Sequence, residues 1–228
     1  MAMILNLYFL LTIALPMPVV AQDKFTIRYE TKWAIKDTLR NAGGLAQATL
    51  VINDSLSCTY YPGISAEQSN WFPLGNSYLP KSSFINLITC VTLFPSVLPG
   101  YPKRLVEDGC RKGNWEIYEM MTKEVLGYKC IRATGVINGT SIVAWYAPAL
   151  PAGFAPHFSP DLPGTVLEYW YEKTPYITTA IEIKKEAVDI VEPDFWKRIS
   201  REDYDKMMRK RRAYPNTTNP KGITVRVL

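Results

Sequence analysis

Apolar and polar residues alternate from Phe25 to Trp33, with Phe25, Ile27, Tyr29 and Trp33 on one side. A period of two predicts a half-buried strand. Gly43-Gly44 breaks the pattern, and Ala48-Thr49-Leu50-Val51-Ile52 predicts a second strand closed by Asn53-Asp54. Residues 54–113 are punctuated by Pro62-Gly63, Gly75-Asn76, Pro80, Pro95, Pro99-Gly100 and Pro102, so they are expected to form a loop-rich insertion, loops around short strands. Inside it, the β-branched and aromatic run Phe84–Phe94 predicts one buried strand; a lipid-facing or partner-facing surface is the competing reading of that run.

Regularity returns at Trp115. Trp115–Met121 and Val125–Thr134 predict a hairpin linked at Thr122-Lys123-Glu124, and Asn138-Gly139 predicts a tight turn into Ser141–Tyr146. Further strands are expected at Val166–Tyr171, Ile177–Ile183 and Ala187–Val191. At Ser200-Arg201-Glu202-Asp203 the period changes to that of a capped helix, with Tyr204, Met207, Met208 and Arg211 at helical spacing, predicting a helix over 200–213. A strand-like tail, Ile223–Val227, follows. The sum is a mainly β chain: an antiparallel meander, able to curl into a half-barrel, with a C-terminal α-helix.

The first 21 residues carry no charge and are strongly apolar up to Pro16, and Val19-Val20-Ala21 offers small side chains before Gln22. They read as a secretory signal peptide, although no Lys or Arg precedes Lys24; an uncleaved anchor is the alternative. Cleavage is expected to leave 22–228 as a single β-rich domain with no transmembrane span, in the periplasm or outside the cell. A hydrophobic content of 47% with 12% aromatics excludes wholesale disorder. The four cysteines, Cys58, Cys90, Cys110 and Cys130, are all in this part. An even count in an exported chain favours two disulfides with three possible connectivities, of which Cys110–Cys130 closes the shorter loop and leaves Cys58–Cys90; buried free thiols are the alternative.

Of the net charge of +5, residues 193–228 hold ten Lys or Arg against four acids, so the basic character belongs to the C-terminal region. Arg209, Lys210, Arg211 and Arg212 form a candidate patch for an anionic partner, beside the plainer reading of cations complementing a helix dipole. No base-reading motif accompanies them, so nucleic acid is not an expected partner.

Catalytic chemistry is sparse. The one histidine, His157, stands in a proline-flanked loop and reads as solvated surface. No G-x-S-x-G elbow is present, and Gly75-Asn76-Ser77-Tyr78-Leu79 fails at its last position. Glu116 and Glu119 read as exposed charge, and the cysteine spacings make no metal site. The expectation is therefore no enzyme, no cofactor and no metal. Phe154, His157 and Phe158 remain a candidate ligand mouth. Leu162-Pro163-Gly164-Thr165 predicts a type II turn, with Pro163 fixing φ and Gly164 free to take a positive one.

One stretch also carries a resemblance. Trp115-Glu116-Ile117, Val125-Leu126-Gly127-Tyr128-Lys129-Cys130, Ala133-Thr134, Ala144-Trp145-Tyr146, Leu150-Pro151, Pro156, Leu162-Pro163-Gly164 and Leu167-Glu168 resemble, in order and spacing, the GLPGLI family. Asp161-Leu162-Pro163-Gly164-Thr165-Val166 takes the place of the naming hexapeptide, keeping Leu-Pro-Gly and departing at the flanks, as in a divergent member. The resemblance implies an exported envelope protein of Bacteroidota-type bacteria, mostly without an assigned activity. The sequons at Asn53, Asn138 and Asn216 would then carry no glycan. The function expected is a non-enzymatic binding or interaction module of the cell envelope, partnered by an envelope protein or an anionic surface. The alternative is a periplasmic carrier holding a hydrophobic small molecule or lipid in a half-barrel.

Overall fold

A computed structural model describes residues 24–33, 46–60, 82–96, 101–110, 113–137, 139–186, 189–194 and 196–213. The predicted leader and the predicted strand Ile223–Val227 lie outside the described residues. The strands are β1 (Lys24–Trp33), β2 (Ala46–Asn53), β3 (Leu56–Tyr60), β4 (Ser82–Asn86), β5 (Val91–Ser96), β6 (Arg104–Gly109), β7 (Asn114–Val125), β8 (Tyr128–Ile137), β9 (Thr140–Ala147), β10 (Thr165–Tyr171), β11 (Tyr176–Lys185) and β12 (Arg198–Ser200), followed by the helix α1 (Arg201–Ala213).

All of these strands join one open sheet in the order β12-β6-β5-β4-β3-β2-β1-β11-β10-β9-β8-β7. Two meanders build it. β1 to β6 runs outward from the middle, and β7 to β11 runs from the far edge back to the middle, where β11 pairs with β1. Neighbours are antiparallel except β12, which lies parallel to β6. Among the described residues the edge strands β7 and β12 do not pair, so the sheet is not closed into a barrel.

Alternation along β1 and β2 explains the packing. Phe25, Ile27 and Tyr29 face the same side as their register partners Ile52, Leu50 and Ala48, and all six are buried. The row continues from Leu50 to Thr59 and from Thr59 to Ser83. We call this side the inner face. Cys130 on β8 belongs to the same apolar cluster as Phe25, Ile27 and Tyr29, although β9, β10 and β11 lie between β8 and β1. The sheet therefore curls around its inner face.

Two sequence expectations are corrected by turns. The run Phe84–Phe94 is not one strand but the hairpin β4–β5. The Asn86 side chain accepts the N–H groups of Ile88 and Thr89 at 2.9 and 3.1 Å, and Cys90 takes φ 55° to re-enter the ladder. The hairpin after Trp115 turns at Leu126-Gly127 (φ 52° and 82°), not at Thr122–Glu124, which stay in β7. A two-residue turn with both φ positive matches the twist of the flanking strands. The irregularity sensed near Thr122 is a bulge between Tyr118 and Thr122. Asp189–Val191 form no strand, and Ala187 and Val188 lie outside the described residues. The insertion at 54–113 supplies four strands of the sheet.

The helix agrees with its sequence signal. Ser200 Oγ accepts the N–H of Asp203 at 3.1 Å, the N-cap bond, and Glu202 and Asp203 occupy the first turn. No helix among the described residues is long and apolar enough to cross a membrane.

Candidate functional site

The segment 148–164, between β9 and β10, runs across the inner face. It is a succession of turns, at 148–149, 152–153 and 156–157, and its apolar residues enter the core: Leu150, Phe154, Ala155 and Leu162 are all buried. Phe154 is bonded into the sheet margin, its carbonyl accepting the Val166 N–H at 2.9 Å. Phe158 packs edge-on against Tyr169 with ring centroids 5.4 Å apart. The three residues expected to form a ligand mouth thus belong to a plug that fills the curl.

The plug is fastened at its far end by His157. Its Nδ1 lies 3.1 Å from the Ser83 hydroxyl on β4, and its N–H donates to Thr59 Oγ1 on β3 at 3.3 Å. The residue as a whole keeps some exposure, but Nε2 is buried from solvent. Burial lowers its pKa to about 4, so the imidazole is neutral at physiological pH. The expectation of a solvated surface histidine is corrected: the turn at 157 (φ 68°) points the ring inward. Ser83 and Thr59 were not foreseen because both lie in the stretch read as loops around short strands, with neither residue placed on a strand. The alternation Leu56-Ser57-Cys58-Thr59-Tyr60 was the available signal.

The Leu162-Pro163-Gly164 turn closes the plug's near end. The Gly164 N–H donates to the Leu162 carbonyl at 2.8 Å, a three-residue turn centred on Pro163, and Gly153 donates to the same carbonyl at 2.9 Å. Gly164 is not among the residues of positive φ, so the expected type II turn is not formed. Close approach explains the glycine instead: a Cβ there would sit 2.3 Å from the Ala147 carbonyl oxygen. Thr165 Oγ1 donates to the Pro151 carbonyl at 2.6 Å and locks the exit into β10. Between the two ends, Tyr29 reaches over the small, buried Ala180 of β11 and donates to the Val166 carbonyl at 2.7 Å.

The structure brings the motif turn and the proposed mouth together and keeps the other candidates apart. α1 lies on the inner face beyond the plug, where Tyr204 meets Phe94 edge-on at 5.8 Å and Arg201 pairs with Asp108 at 3.4 Å. Of the basic cluster, Arg209 and Lys210 are exposed and Arg211 is half-buried; the Arg212 side chain lies outside the described ones. Glu116 and Glu119 are exposed on β7. A half-buried group not foreseen is the ion pair of Lys123 with Glu168, where Lys123 also lies 4.7 Å from the Trp145 ring centre and Thr179 donates to Glu168 at 3.2 Å.

The structure does not bring Cys110 to Cys130 or Cys58 to Cys90. All four are thiols. Cys130 is buried in the core, and burial pushes its pKa up to about 11. Cys58 pairs in register with Phe84 on the outer face. Cys110 lies beside Cys90, its N–H 3.2 Å from the Cys90 Sγ.

An open cavity of about 530 Å³ occupies the outer face. The register sets Cys58, Phe84 and Leu93 side by side, with Pro95 and Leu105 one step along, and the segment 191–194 forms the opposite wall. The floor is apolar, and Glu192 and Asp194 stand at the rim. Arg198 holds Glu192 at 2.7 Å.

Comparison with known proteins places this architecture. The family described as the N-terminal domain of N-glycanase peptide matches residues 109–207, less than half of the chain and inclusive of Trp115–Glu168. Among solved structures, PNGF-II in its C2 crystal form is similar, with a TM-score of 0.60 and 15% identity over 82% of this chain and 33% of that one. The P21 form gives 0.56 and 15% over 82% and 34%. At that identity the likeness is one of fold, and the chain spans about a third of the PNGF-II length. A LolA superfamily protein, NE2245 from Nitrosomonas europaea, aligns with a TM-score of 0.31 and 8% identity over 74% of this chain and 89% of that one, too low to carry an argument. No curated protein matches the chain.

Proposed function

We propose that the chain is an exported, non-enzymatic cell-envelope protein of the GLPGLI type, working as a binding or interaction module. The observation that carries this reading is the position of His157. The sole imidazole is neutral, sealed at Nε2 and engaged with Ser83 and Thr59, so it fastens a loop instead of facing a substrate. A general base must reach the proton that it removes, and this one is enclosed by its own fold. The family likeness is to one domain of an N-glycanase, and what we take from it is the β-rich scaffold and not the reaction.

The surface left for a partner is charged. Arg209 and Lys210 project at the C-terminal end of α1, where an anionic envelope surface would meet both the cations and few competing acids. Sedimentation of the mature chain with isolated cell envelopes, at low and high salt, tests this. Binding that salt releases, and that Arg209→Gln with Lys210→Gln weakens, supports the reading; binding indifferent to both overturns it.

Carriage of a hydrophobic ligand is the second reading, and the outer-face cavity favours it. Its floor of Phe84, Leu93, Pro95 and Leu105 suits an apolar molecule. The inner face, where a half-barrel carrier would hold its cargo, is occupied by Leu150, Phe154 and Leu162. Solvent extraction of the purified protein followed by mass spectrometry separates the readings, since a carrier yields a bound apolar molecule and an interaction module yields none.

A further inference from the structure

The β5–β6 ladder ends in two thiols. Val91 pairs with Gly109, the last residues of their strands, and Cys90 and Cys110 stand one step beyond them. The ladder continues between the two cysteines: the Cys110 N–H donates to the Cys90 carbonyl at 3.1 Å and lies 3.2 Å from the Cys90 Sγ. Directly opposed antiparallel residues have Cα atoms about 4.5–5.5 Å apart, within the roughly 4.4–6.8 Å that a disulfide spans. The side chains approach as well: the Cys90 thiol donates to the Cys110 carbonyl at 3.9 Å, and the Cys110 thiol turns back over the same turn to the Asn86 carbonyl, also at 3.9 Å. The turn that presents Cys90 is fixed by the Asn86 side chain and by the Leu87 N–H bond to the Ser55 carbonyl at 2.9 Å.

The other two cysteines have no such neighbour. Cys58 sits two strands and several residues away, in the cavity wall. Cys130 lies on β8, with β5, β4, β3, β2, β1, β11, β10 and β9 between it and β6, and its thiol donates to the Tyr128 carbonyl at 3.5 Å.

We propose that Cys90 and Cys110 form a disulfide clasping the ends of β5 and β6, made by exchange with a disulfide donor, while Cys58 and Cys130 stay as thiols. The exposed Cys90 is the entry point. Its thiolate attacks a sulfur of the donor disulfide, forming a mixed disulfide and expelling one donor thiolate. Cys110 loses its proton and attacks the Cys90 Sγ, expelling the second. Two protons and two electrons pass from the protein to the donor, which leaves as two thiols. In the reduced pair, burial and the neighbouring Cys90 thiol push the Cys110 pKa up to about 12; the part owed to Cys90 ends once its sulfur is bonded. Such a clasp holds the strands whose outer side floors the cavity and whose inner side seats α1. The pairing rests on geometry alone, whereas the place where a donor is met rests on the export proposed above.

The test uses the full chain, purified reduced and exposed to oxidised glutathione, then alkylated after unfolding, digested without reductant and mapped by mass spectrometry. The expected product is a peptide pair joining Cys90 to Cys110 with the loss of two hydrogens, and alkylated Cys58 and Cys130. Cys58→Ser with Cys130→Ser should give the same link, and Cys110→Ser should stop at a glutathione adduct on Cys90. A link that includes Cys58 or Cys130, or four alkylated cysteines, overturns the proposal. The same map of protein taken from cells separates the two ideas: a clasp formed with glutathione but absent from cell-derived protein contradicts export and leaves the pairing standing.

Discussion

The Nδ1 atom of His157 lies 3.1 Å from the hydroxyl of Ser83, 74 residues earlier in the chain. This contact ties the segment between β9 and β10 to the strand on the far side of the curl. It connects a sequence motif, Leu162-Pro163-Gly164, to a structural outcome, a sheet whose inner face is filled by its own loop.

A neutral, enclosed imidazole makes stability depend on pH. With a pKa of about 4 in the folded chain and near 6.5 when unfolded, His157 binds its proton more readily in the unfolded state. Stability is therefore complete above pH 6.5, declines as pH falls toward 4 and levels off below that. A loss on the order of 3–4 kcal/mol is expected from this group, read as a falling denaturation midpoint. His157→Asn should flatten that part of the profile.

Gly164→Ala places a methyl group against the Ala147 carbonyl oxygen and the Pro148 nitrogen, at 2.3 and 2.9 Å, and both are backbone atoms with little room to yield. Destabilisation of about 3 kcal/mol is expected, at the upper end for overpacking. Gly139→Ala, at a position with open space but φ 74°, should cost only about 1 kcal/mol. Urea unfolding of the two variants would check the contrast.

Tyr29→Phe keeps the ring and removes the hydroxyl that satisfies the Val166 carbonyl across β11. The buried acceptor is left without its donor, so a loss of about 1–3 kcal/mol is expected. Amide exchange near Val166 should accelerate with it, because the same residue donates its N–H to the plug.

If the clasp at Cys90 and Cys110 forms, the oxidised chain should unfold at higher denaturant than the Cys90→Ser variant. Loop-closure entropy for the stretch between them gives about 3 kcal/mol. Reductant should erase the difference without altering the variant.

Much of the fold was legible because period two survives wherever one face of a strand is buried: β1, β2 and β9 to β11 follow from Phe25, Leu50, Tyr146, Val166 and Ile183. The helix was legible from Ser200 and the spacing of Tyr204, Met207 and Met208. In the insertion the short strands were legible as a kind but not in place or number, since their turn chemistry sits in side chains such as Asn86 that also occur in strands. Gly164 was read as a conformational glycine when the reason for it is Ala147, a contact that no local pattern encodes. His157 looked exposed because proline-flanked loops usually are; the loop is inside because Phe154 and Leu162 anchor it there.

The enclosed fastening of the plug by His157 can be measured directly. The chain has one histidine, so its imidazole signals in an NMR pH titration need no assignment. The ring is expected to stay neutral through pH 6 and to titrate at about 4. A titration near 6.5 in the folded protein would contradict it, placing the ring in solvent and reopening the inner face as a binding site.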